Sequence, residues 1–172
     1  MAAMNAEDLK ALQSPLKEKY KSAPEAALVT LRAQSRISDG IACRIETGKA
    51  LVEAGLHPAT GGTGAQACSG DMLLEALAAC AGVTLRAVST AIGVVLRDAT
   101  VTAEGRLDFR GTLGVSKEAP VGFQDIRLTF ALATDASEEQ LATLLKLTER
   151  YCVVFQTLKA PPTLSVTRVS VP

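Results

Sequence analysis

Aromatic residues make up only 3% of this 172-residue chain, tryptophan is absent, and histidine occurs once, at position 57. That poverty removes the flat surfaces on which bases or sugars stack. Charge of either sign is not in excess, since 18 lysines and arginines face 18 aspartates and glutamates. Neither a basic surface for nucleic acid nor an acidic imitation of it is expected. The four cysteines, at 43, 68, 80 and 152, form no Cys-x-x-Cys pair and no cluster with histidine, so no bound metal or cofactor is expected. The opening residues, MAAMNAEDLKALQSPLKEKY, carry acids and lysines from residue 7 and have no apolar stretch of the secretory kind. A cytoplasmic protein is expected, in a compartment where structural disulfides are disfavoured.

What the chain does have is apolar material, at 48% of its residues, enough for the core of one domain. The richest stretch is Ser69 to Gly93, SGDMLLEALAACAGVTLRAVSTAIG. Ser69 is placed as its N-cap, Asp71 lies in the electropositive first turn, and Gly93 supplies a stop. Its only charges are Asp71, Glu75 and Arg86, which predicts a helix buried on nearly every side. Glu75 and Arg86 interrupt the run, so no membrane span is expected.

Residues 1–24 read as a helical arm, with Leu9, Leu12 and Leu16 at helical spacing and Pro15 weakening the middle. The domain proper, 25–172, begins with an alternation of period two. Residues 28–37, 41–46 and 49–54 predict a three-strand antiparallel meander, turning at Ser38-Asp39-Gly40 and at Thr47-Gly48 and facing the central helix. The loop LHPATGGTGAQA follows, and its glycines lack the Gly-Lys-Ser/Thr ending of a phosphate loop. Residues 94–109 and 123–133 read as further strands, with a bulge suggested at Gly105 and a long loop at 110–122. Ser137 and Gln140 form a capping box that opens a second long helix running to about Leu158, stopped by Pro161-Pro162. Leu144, Thr148, Cys152 and Phe155 share one arc of that helix while Arg150 lies opposite. A closing strand is expected over 163–171. The order of elements is α+β.

Two long helices thus each carry a cysteine on a face that must be covered. Buried cysteine is commonly just a small hydrophobe; Cys43 and Cys68 have weaker cases for chemistry, Cys68 being read as a small loop residue at a helix entry whose dipole could make it reactive. The run CSGDMLLEALAAC, ending at Cys80, and the run RYCVVFQTL, containing Cys152, together with the upstream HPATGG, resemble the two signature segments of the OsmC and organic hydroperoxide resistance family. The resemblance covers about residues 27–171. It implies an OsmC-like fold in which antiparallel sheets wrap two long central helices, in an intertwined homodimer with its sites at the interface. It also implies a peroxidase of organic hydroperoxides serving oxidative-stress defence: Cys80 as the thiolate oxidised to sulfenic acid, Cys152 as the resolving thiol, and an external dithiol, of lipoyl type in the family, as reductant. The partners implied are a second copy and a small organic hydroperoxide, with neither nucleic acid nor membrane involved.

Several positions depart from that pattern. Where the peroxidase branch has Pro-Glu ten residues before its first cysteine, this chain has Ser69-Gly70, and the nearest acid is Asp71. Asp71 and Cys80 face opposite sides of a straight helix, so Asp71 could serve the site only across a dimer or through a bend. The arginine that holds the thiolate in that branch has no clear counterpart. Arg44 and Arg36 are the candidates, Arg44 being preferred, with an exposed strand charge as the plain alternative. The proline that usually follows the second cysteine is Val153. These departures favour a second reading, a non-catalytic OsmC-like dimer that binds a small hydrophobic ligand or senses redox state.

Overall fold

A computed structural model describes residues 5–8, 10, 11, 14, 22, 34–38, 42–46, 51–114 and 116–170, with 34–38, 42–46, 51 and 52 described by their backbone. Residues 6–8, 10, 11, 14 and 22 are helical, and the rest of the expected arm lies outside the described residues apart from Asn5. The predicted turns at 39–40 and 47–48, the beginning of the first strand at 28–33, and the face that the meander turns to the helix lie outside the described residues.

The meander forms three strands, β1 (Gln34–Ser38), β2 (Ala42–Glu46) and β3 (Leu51–Gly55), paired antiparallel with Arg36 opposite Arg44 and Arg44 opposite Glu53. A two-residue strand, β4 (Ala67–Cys68), adds in parallel to β3. Between them the loop makes a single 3-10 turn at Pro58–Thr60, whose amide at Ala59 donates to His57 Nδ1 at 3.0 Å. Gly61 closes that turn with φ 91°, a left-handed conformation that glycine adopts without strain.

The central helix, α1 (Ser69–Ile92), follows β4 directly. Its N-cap is Cys68 rather than the expected Ser69, and no side chain caps it, because the extended strand conformation persists through Cys68 (φ −80°, ψ 134°). Gly93 ends it as predicted, with φ 72°. By length and composition α1 could also cross a membrane; in the fold it packs on a sheet and on two other helices. The expected burial on every side is not found within one chain. Leu77, Ala81, Leu85, Val88 and Ser89 are buried along one stripe, while Val83 on another face is 72% exposed.

That stripe rests on a two-stranded antiparallel ribbon, β5 (Asp98–Arg106) and β6 (Asp125–Ala133). Both alternate as period-two strands do, with Val101, Ala103, Ile126, Leu128 and Phe130 turned inward. The predicted bulge at Gly105 is absent, since Gly105 pairs in register with Ile126. Glycine is needed there for space: a Cβ would lie 2.6 Å from the Phe123 ring. The predicted loop after β5 holds a one-turn helix, α2 (Phe109–Thr112), capped by the Asp108 carboxylate. Phe109 stacks on His57, with ring centroids 4.8 Å apart.

The capping box opens α3 (Glu138–Tyr151), with Gln140 N–H on Ser137 Oγ at 3.3 Å and the Gln140 side chain returning to Ser137 N–H at 2.9 Å. The expected single helix to Leu158 is two helices. Cys152 leaves helical geometry (φ −72°, ψ 106°), ending α3 and preceding α4 (Val153–Lys159). Adjacent β-branched valines, weak helix formers, follow the break. The closing strand is absent as well: residues 161–170 are irregular and exposed, with Val166 99% and Leu164 85% accessible. A strand needs a neighbour's backbone, and none of the described residues pairs with that segment.

Candidate functional site

Helices α1 and α3 meet twice. Toward the start of α3, Leu85, Val88, Val94 and Leu144 form a purely apolar cluster. At the other end Leu77, Ala81 and Cys152 are buried, and Cys80 packs against them with Ile126, Leu128, Val154 and Phe155. The two cysteines predicted on sequence grounds are therefore side by side, both as free thiols, Cys152 1% exposed and Cys80 half-buried.

The break at Cys152 makes this end unlike the other. Cys152 N–H closes α3 on the Thr148 carbonyl at 3.0 Å, and its own carbonyl receives the Gln156 N–H at 2.9 Å. One residue thus serves both helices. Glu149 fastens the corner, its carbonyl accepting Gln156 Nε2 at 2.8 Å and its carboxylate accepting Lys159 Nζ at 2.7 Å. The first amides of a helix have no carbonyl of that helix to bond. Here those of Val153 and Val154, with the Cys152 and Thr84 side chains, are near enough to the Cys80 thiol to bear on its ionisation. Thr84 Oγ1 donates its proton to the Cys80 carbonyl at 2.7 Å.

These contacts set the two thiols apart. Burial pushes the Cys80 thiol up, but the hydrogen bonds from Val154, Cys152, Val153 and Thr84 together outweigh it, and its pKa lies below the ordinary value. Cys152 is driven the other way, by burial first; bonds from the Phe155 and Val154 amides oppose this, while donation to Cys80 and the nearby thiolate charge raise it further. Of the two thiols Cys80 is the one that ionises first, and Cys152 keeps its proton longer. Loss of the Cys80 charge would relieve two of the three influences that hold Cys152 protonated.

A pocket of about 520 Å³ adjoins the pair, walled by Leu73, Leu77, Phe123, Ile126 and Phe155, with Asp125 and Lys159 as its charged members. Leu77, Ile126 and Phe155 belong also to the cysteine cluster, so the pocket shares its wall. A second, of about 350 Å³, is bordered by Cys152 and Thr148.

The other predicted site residues are not gathered here within one chain. Asp71 is exposed in the first turn of α1, about 13 Å along the axis from Cys80, and makes none of the bonds that Cys80 receives. Arg44 sits on β2, and its side chain lies outside the described residues. Val154 and Thr84 are not singled out by sequence reasoning, and Val153 is noted there only as a departure from the family pattern. Thr84 follows Cys80 by one helical turn and was findable by that spacing. The amides carry no side-chain signal, and only the paired valines hint at a break.

Fold and site together define a sheet-backed protein with a cysteine pair between its helices and an apolar pocket that shares Leu77, Ile126 and Phe155 with the cysteine cluster. The family model for OsmC-like proteins matches residues 62–167, more than half of the chain, and the chain belongs to that family. Among solved structures it is similar to an OsmC-like protein from Mycoplasma pneumoniae, with TM-score 0.66, 14% identity, and coverage of 77% of this chain and 89% of that one. An organic hydroperoxide resistance protein from Elizabethkingia anophelis gives TM-score 0.61 at 17% identity, covering 78% and 91%. OhrB of Bacillus subtilis, named likewise, gives 0.52 at 18% identity, covering 77% and 93%. At such identities these neighbours establish the α+β OsmC-like fold. A search of the curated proteins finds no match.

Proposed function

We propose that the protein is a thiol-dependent reductase of small organic hydroperoxides. The observation that carries this reading is the opposite perturbation of two adjacent thiols, Cys80 toward thiolate and Cys152 toward thiol. The Cys80 thiolate attacks the terminal oxygen of the hydroperoxide. The O–O bond breaks, the alkoxide leaves and takes a proton to become the alcohol, and Cys80 becomes a sulfenic acid. Once its charge is gone, Cys152 loses its proton more readily and attacks the Cys80 sulfur, releasing water and leaving a disulfide. An external dithiol, of lipoyl type, returns both thiols and is itself oxidised to a disulfide. The apolar pocket beside the pair suits the organic part of the substrate.

The exposed parts of the chain support assembly as a homodimer. Val83 on the open face of α1 and the apolar residues of the unpaired segment 161–170 are accessible in a single chain, and a second copy would cover them. Asp71 or Arg44 would join the site in that assembly, Asp71 only from the partner or through a bend. The alternative, a hydrophobic-ligand binder or redox sensor, is favoured by Gly70 and by the pocket.

The deciding experiment follows hydroperoxide consumption with a dithiol reductant. Wild type is expected to exceed Cys80→Ser by at least a hundredfold. Equal rates would remove the peroxidase and leave the binding reading.

A further inference from the structure

We infer that the smaller cavity is a second entrance, taken by the dithiol reductant, which attacks the Cys152 sulfur there while the larger pocket serves the hydroperoxide. This rests on the two-cysteine cycle proposed above. The smaller cavity, of about 350 Å³, is bordered by Leu145, Lys146, Thr148 and Glu149 of α3 and by Leu128 and Phe130 of β6. Cys152 is among its walls and Cys80 is not. The larger pocket is bordered by neither thiol and lies toward the start of α1, against Leu73 and Leu77. Leu128 and Phe155 belong to both cavities and stand between them. Cys152 is 1% exposed, so a molecule that reaches it must bring apolar groups to fill the approach. The walls suit a methylene chain, and the exposed Lys146 and Glu149 leave its polar end at the rim.

The exchange chemistry agrees with that side of attack. One thiolate of the dithiol bonds to Cys152 Sγ, the Cys80–Cys152 bond breaks, and its electron pair leaves on Cys80. The second thiol gives up its proton and attacks the reductant's own sulfur in the mixed disulfide, closing the reductant to a disulfide. Cys152 then leaves and takes a proton. Exchange is faster when the departing thiol has the lower pKa, and Cys80 is the one that ionises first.

The test begins with the full chain oxidised by diamide, which joins two thiols without any hydroperoxide. Butanethiol is added, the released thiol is alkylated with iodoacetamide, and the peptides are read by mass. Cys152 is expected to carry the butanethiol and Cys80 the alkyl group. The reverse pattern would overturn the inference, as would failure of diamide to join the two cysteines. The cavity itself is tested with Leu145→Trp, which fills it. Reduction of the diamide-oxidised variant by dihydrolipoamide is expected to slow about tenfold, with oxidation of its Cys80 by hydroperoxide at the wild-type rate. An unchanged rate with dihydrolipoamide, or an equal loss in both steps, contradicts the separate entrance. Should Leu145→Trp not fold, the position of the adduct on the wild type decides. A silent peroxidase assay with the adduct on Cys152 would sink only the proposed function, and an active one with the adduct on Cys80 only this inference.

Discussion

The two ends of the α1–α3 contact are built from the same helices and behave differently. At the Leu144 end every buried side chain but Ser89 is apolar, the start of α3 is closed by a reciprocal cap, and Ser89 Oγ donates to the Arg86 carbonyl at 2.9 Å. At the Cys152 end the helix stops short, a second helix starts at Val153 beside the two thiols, and a pocket opens next to their cluster. The first end stabilises, and the second is where the proposed chemistry is assigned. One residue leaving helical geometry accounts for much of the difference.

Substitutions at the two ends should therefore separate. Leu144→Ala, at a fully buried position, is expected to cost about 2–5 kcal/mol in denaturant unfolding while the Cys80 alkylation midpoint stays put. A moved midpoint would show the ends to be coupled. Cys152→Ala should cost less, because it removes a small side chain, and should raise the Cys80 midpoint because a thiol donor is lost. An unshifted midpoint would detach Cys152 from the ionisation of Cys80. Ser137→Ala is expected to remove about 1 kcal/mol of stability through the lost cap, with no effect on either thiol.

The pH dependence follows from the direction of the Cys80 shift. A depressed thiol pKa keeps the nucleophile present at and above that pKa and loses it as pH falls through it. Reaction with a hydroperoxide should persist at pH values where an ordinary thiol has largely stopped reacting.

Much of the fold was legible because burial writes periodicity into sequence. The alternation of Ile126, Leu128 and Phe130 marked β6, and the arc of Leu144, Thr148 and Cys152 placed both a core face and a site residue. Gly93 and the Ser137–Gln140 box are caps whose chemistry sits in side chains or in glycine's freedom. What was missed depends on backbone geometry or on what one chain cannot supply. The Cys152 break keeps the hydrophobic arc intact, so a wheel cannot see it. Segment 161–170 alternates like a strand, yet pairing requires a neighbour that its composition does not name. The all-round apolarity of α1 was read as burial, whereas a single chain covers one stripe. Asp71, the acid expected beside Cys80, is exposed in the first turn of α1, and the side chain of Arg44 lies outside the described residues.

The account turns on Cys80 and Cys152 acting in sequence, and a sub-stoichiometric pulse of an organic hydroperoxide tests this directly. Mass analysis without added reductant should find the Cys80 and Cys152 peptides joined by a disulfide, with Cys68 still free. Cys80 carried to sulfinic acid beside an unmodified Cys152 would contradict the resolving role and with it the proposed cycle.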